Sequence, residues 1–169
     1  HSVEIHLTGV ITATNEEYVH NYSAFVQEEY DKQVMVVDIN QADEQTYFHE
    51  FSHIIDAFLA WDALYREDAL FSEIGWSDLN PAWFPGYTWS YSWEQDVLDY
   101  TCFVDSYSTI KPTEDRARVL EYGMSPYGSW TFEDAPVLLA KLEYYCRCIR
   151  DAFDTTGWPE TTVWEQYLP

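Results

Sequence analysis

Two histidines four residues apart enclose a glutamate in the segment His49-Glu50-Phe51-Ser52-His53. On a helix, residues at that spacing share a face one turn apart, so both imidazoles can address a single ion. Glu50, offset beside them, is placed to accept a proton from a water whose pKa a zinc ion lowers toward about 7, giving a nucleophile for a peptide carbonyl. A catalytic zinc keeps one position open, so a third protein ligand has to come from elsewhere in the chain. The plain alternative is a pair of surface or core-edge histidines on an amphipathic helix.

The motif needs a helix, and the pattern supplies one. Phe48, Phe51, Ile55, Phe58 and Leu59 recur at helical spacing, which predicts one long helix from about Gln41 to Tyr65. Before it the period is two. Val3, Ile5 and Leu7, then Tyr22, Ala24 and Val26, then Val34, Val36 or Val37 and Ile39 predict an antiparallel sheet, with a hairpin turn at Asp31-Lys32. After it, Asn80-Pro81 and Phe84-Pro85-Gly86 punctuate a long ordered loop over 75–86. Further helices are expected from about Trp93 to Ser106, from near Thr113 with that residue as N-cap, and from about Ala135 to Phe153, the last stopped by Gly157-Trp158-Pro159. Glu114 and Asp115 fall in the first turn of the third of these four helices, where the helix dipole favours carboxylates.

The whole chain sets bounds on partners. Its 169 residues are 47% hydrophobic and 18% aromatic, enough apolar surface for one compact domain over residues 1–169 and too much for a disordered segment. The formal net charge of −22, with scattered basic residues, excludes a phosphate backbone as partner and favours solubility, cationic peptides or divalent ions. No apolar run approaches the roughly 18 residues of a membrane span. The chain opens at His1 without an initiator methionine, as a processed or truncated product does. Cys146 and Cys148, two apart on a helix, point away from each other and do not bridge; either Cys102 pairs with one of them or the three are buried thiols.

His49-Glu50-Phe51-Ser52-His53-Ile54-Ile55-Asp56, followed by Tyr107-Ser108 and by Glu114 seven residues beyond that tyrosine, resembles the peptidase domain of anthrax lethal factor and related gluzincins. Val36-Val37-Asp38-Ile39 and Pro112-Thr113-Glu114-Asp115-Arg116-Ala117 also make the chain similar to acidic, secreted, zinc-binding bacterial proteins, over most of its length. The resemblance implies that Glu114 is the third zinc ligand, that Tyr107 donates to the oxyanion, and that the protein is secreted or at the cell surface of a bacterium. Zinc-bound imidazoles also need an acceptor for their other nitrogen. In such gluzincins it often lies one turn beyond the glutamate ligand, where this chain has Arg118. Asp56 on the motif helix is the expected replacement, with Asp115 and Glu121 as the other candidates.

These features predict an α+β, zincin-like (gluzincin) fold: a small antiparallel sheet, the HExxH helix, then further helices. The expected function is a Zn²⁺-dependent metalloendopeptidase acting on a peptide or protein substrate, with Glu50 as general base and Tyr107 as oxyanion donor. A catalytically degenerate zinc- and peptide-binding module is one alternative. A glycan-binding module is another, built on Trp76, Trp83, Trp89, Tyr91 and Trp93.

Overall fold

A computed structural model of the chain describes residues 2–14, 19–29, 32–89 and 99–169. The described residues form a mixed α/β arrangement: a small sheet, one long helix packed on it, and a layer of helices on the other side of that helix.

The sheet has three strands, β1 (Ser2–Thr8), β5 (Lys32–Asp38) and β4 (Ala24–Glu29), in the order β1-β5-β4. β4 and β5 are antiparallel, with Glu29 opposite Lys32, so the hairpin is where the sequence puts it; residue 31 of the expected turn lies outside the described residues. β1 pairs with β5 in parallel, Ile5 beside Met35 and Leu7 beside Val37, which corrects the expectation of an all-antiparallel sheet. Alternation fixes which face a strand buries and says nothing of its direction. The intervening chain forms a separate antiparallel ribbon of β2 (Ile11–Thr14) and β3 (Val19–Tyr22). It is this excursion that brings the chain back to pair with β5 from its far side.

The helix α1 runs over Glu44–Tyr65, three residues later than expected at its start. Asp43 sets that boundary, because its side chain accepts from the Thr46 backbone while Thr46 returns a bond to the Asp43 backbone. α1 buries two faces. Ile54 packs with Ala24, Met35 and Val37 of the sheet. Ile55 and Leu59 join the larger cluster with Val119, Leu120, Leu138 and Leu142. Phe51, expected inside, is 44% exposed; the Ile54 side takes its place in the core.

The loop beyond α1 contains a short helix that the sequence reading missed, α2 (Glu73–Ser77), capped by the Ser72 hydroxyl on the Gly75 amide. It carries Trp76 into the core at 0% exposure, so this tryptophan is not part of an exposed aromatic platform. Of the rest of that stretch Trp83 and Trp89 are exposed, and Tyr91 and Trp93 lie outside the described residues. The helix expected over 93–106 is not found in its described part. Residues 99–106 are turns, because the Asp99 side chain takes the Thr101 backbone N–H and the Asp99 carbonyl takes those of Cys102 and Phe103. A single 3-10 turn, Tyr107–Thr109, follows.

Helix α3 spans Pro112–Met124, with Pro112 as its first residue and Lys111 rather than Thr113 at the cap. Proline suits that position because its missing N–H would have no partner there. After the short α4 (Gly128–Thr131), α5 covers Pro136–Ala152, within the expected span, and buries Leu138, Leu142, Tyr145 and Ile149. Cys102, Cys146 and Cys148 are buried and free. No described helix is long and apolar enough to cross a membrane.

Candidate metal centre

The 3.6-residue period of α1 aims His49 and His53 the same way, and their Nε2 atoms lie 3.1 Å apart. The first turn of α3 delivers Glu114 against them. Its Oε2 is 3.4 Å from His49 Nε2 and 3.3 Å from His53 Nε2. Three ligand atoms from two helices thus converge, within 4.8 Å of one another. That Glu114 oxygen is buried and makes no hydrogen bond. An ion about 2.0–2.1 Å from each of its tetrahedral ligands holds them about 3.3 Å apart. The triangle matches that edge length on all three sides, so the residues present fit a divalent transition-metal ion.

The three groups and their neighbours set one another's charge. Burial lowers the His49 pKa, but the carboxylates of Glu114 and Glu121 beside the ring outweigh it, and the net effect is a rise to about 9. Glu114 is held well below the usual carboxylate range: burial opposes this, but the two imidazoles against it, His49 and His53, prevail.

Glu50 is 9% exposed, and burial raises its pKa. Together with His49, Tyr107, Arg118 and Glu121 it lines a cleft of about 350 Å³. A second cleft, of about 400 Å³, reaches the other side of the group, where His53 and Glu114 face Val26 and Gln33 of the sheet. Tyr107 stands on the 3-10 turn with its ring centroid 5.9 Å from that of His49. Burial pushes its phenol pKa up, and the negative charges of Glu114 and Glu50 add to this. All five residues singled out for metal binding or catalysis are therefore gathered at one place.

The anchoring carboxylate is a different residue from the one expected. Asp56 faces Arg116, which donates to both of its oxygens, and Tyr145, whose hydroxyl is 3.4 Å away. The acceptor for His49 Nδ1 is Glu121 Oε2, at 3.0 Å. A hydrogen bond there keeps a proton on Nδ1, which donates it to Glu121, and leaves Nε2 facing His53 and Glu114. Glu114 and Glu121 are seven residues apart on α3, two turns along one face. That spacing was the available signal. Asp115, the remaining candidate, points the other way, accepting from Lys141 Nζ and from the Tyr87 hydroxyl at 2.8 Å each.

No protein family, curated protein or solved structure matches the chain.

Proposed function

We propose that this protein is a zinc-dependent metallopeptidase of the zincin-like, gluzincin kind, holding the ion through His49, His53 and Glu114. The observation that carries the reading is the triangle of His49 Nε2, His53 Nε2 and Glu114 Oε2, with sides of 3.1 to 3.4 Å, beside a buried carboxylic acid and a phenol. Zinc held there supplies Lewis acidity, polarising a carbonyl and lowering the pKa of water toward neutrality.

The chain's own residues divide the remaining work. Glu50 is the proton carrier: burial lifts its pKa toward the range in which a carboxyl both takes a proton from water and returns it to a leaving amine. Tyr107 keeps its hydroxyl proton, since its pKa is raised, and so can donate to an oxyanion developing in the cleft it lines. Glu121 fixes the His49 ring through Nδ1. An extended peptide has room beside the group in two clefts, one lined by His49 and Glu50 and the other by His53 and Glu114. The strongly acidic chain favours basic or neutral peptides over acidic ones.

Two features suggest a degenerate module: Arg118 in the place of an anchoring carboxylate, and the small size of the domain. Glu121 on His49 Nδ1 removes the first of these grounds and leaves the second. The deciding experiment is Glu50→Gln with zinc content and peptide cleavage measured side by side. The expected result is zinc retained and cleavage reduced by about 10²–10⁴-fold. Cleavage at the wild-type rate in the variant would contradict the role of Glu50, and a wild-type protein that binds zinc but cleaves no member of a diverse peptide library would favour the binding module.

A further inference from the structure

Arg118 has no part in the reading above, yet it touches both halves of the site. Its Nη1 donates to the two oxygens of Glu121 at 3.0 and 2.8 Å, and Glu121 is the residue on His49 Nδ1. Its Nη2 pairs with Asp105 at 2.8 Å. Asp105 in turn accepts the Ser108 backbone N–H at 3.0 Å, inside the turn that carries Tyr107. The guanidinium carbon lies 5.5 Å from the centroid of the Tyr107 ring. One rigid fork therefore spans α3, the anchor of a histidine and the turn of the phenol.

We propose that Arg118 is the positioning residue of this site, fixing His49 through Glu121 and Tyr107 through Asp105 and the ring face. The inference rests on the zinc reading for its functional consequence and on the contacts alone for its structural one. A planar fork is required because two carboxylates and a ring face lie in different directions from one group. Lysine, a point charge, meets only one of them at a time.

The test uses Arg118→Met, Arg118→Lys, Glu121→Gln and the Arg118→Met/Glu121→Gln pair, each checked for folding by circular dichroism and thermal melting. Zinc affinity is read by chelator competition. Arg118→Met is expected to bind zinc about 10–100-fold more weakly, the size seen when an outer hydrogen bond to a ligand is lost. The double variant should be no weaker than the weaker single, because both substitutions act through the same His49 bond. Arg118→Lys should fall between wild type and methionine. A second readout needs no metal: the Nδ1–H proton of His49, protected by Glu121, is followed by nitrogen-edited NMR in the apoprotein and should be broadened or lost in folded Arg118→Met. Wild-type zinc affinity together with an unchanged His49 proton in Arg118→Met would overturn the proposal, as would full additivity in the double variant. If wild type binds no zinc while the His49 proton still depends on Arg118, the zinc reading fails and the positioning role stands.

Discussion

Replacing Arg116 by methionine tests what locks α3, and with it Glu114, against the motif helix. Arg116 is wholly buried. It donates to both oxygens of Asp56 on α1 and to both oxygens of Glu73 on α2, and its guanidinium carbon lies 5.2 Å from the centroid of the Phe71 ring. Methionine fills most of the volume and keeps the stem contacts. Among the described residues it leaves Asp56, at 5% exposure, with the Tyr145 hydroxyl as its hydrogen-bond partner. Stranding one member of a buried pair costs about 3–5 kcal/mol. The exposed Glu73 side adds little, about 0.2–1 kcal/mol. Against a typical domain stability of about 5–15 kcal/mol the variant should fold and be plainly weakened. Its deficit should depend on pH. Burial already raises the Asp56 pKa, and removing the cation removes what opposes that rise. Folded Asp56 then binds a proton that the unfolded chain does not, so stability falls as pH rises. The deficit at pH 7 should therefore shrink on going to pH 5, by at most about 1.4 kcal/mol per pH unit. Urea unfolding followed by tryptophan fluorescence at pH 5, 6 and 7 measures it, and Asp56→Leu/Arg116→Met, which removes both charges, should recover most of the loss. A cost below about 1 kcal/mol, or a deficit independent of pH, would refute the reasoning.

Tyr107→Phe should keep zinc and KM and lower kcat by about 10²–10³-fold on any peptide the wild type cleaves, the cost of one oxyanion donor; an unchanged kcat would remove the phenol from the chemistry. Glu165 is held by Arg150 and the Thr162 cap, and its carboxyl is pushed down to about 2 from an ordinary 4.5. A depressed carboxylate stabilises above its ordinary value and loses that contribution as pH falls through the folded one. Acid unfolding of wild type between pH 4.5 and 2 should thus be steeper than that of Glu165→Gln, by about 1 kcal/mol for this partly exposed pair, and parallel acid limbs would contradict it.

What the sequence made legible follows from periodicity. The spacing of His49 and His53 maps onto a helix face without knowledge of anything else in the fold, and the capped, amphipathic run around them confirms the helix. Glu114 is different. Its approach to the histidines depends on how α3 crosses α1, and only the family resemblance suggested it. Among Asp56, Asp115 and Glu121, the seven-residue spacing from Glu114 singles out Glu121 as the one on its face of α3, but only once the crossing has placed Glu114 at the histidines. In the run Glu114-Asp115-Arg116 the sequence displays charges suited to a helix start, while the structure sends them to the histidines, to Lys141 and to Asp56. The direction of β1 was hidden because a parallel partner needs the same alternation as an antiparallel one. Residue type alone leaves Trp76 open to stacking on a sugar or packing on the core; the Ser72 cap and the short α2 turn it inward.

The most direct test of the central claim is elemental analysis after dialysis against trace zinc, for wild type, His49→Ala and Glu114→Ala. One zinc per wild-type chain, lost from both variants under the same dialysis, is the predicted result. A wild-type chain without zinc, or variants that retain as much of it as wild type, would contradict the assignment of His49, His53 and Glu114 as its ligands.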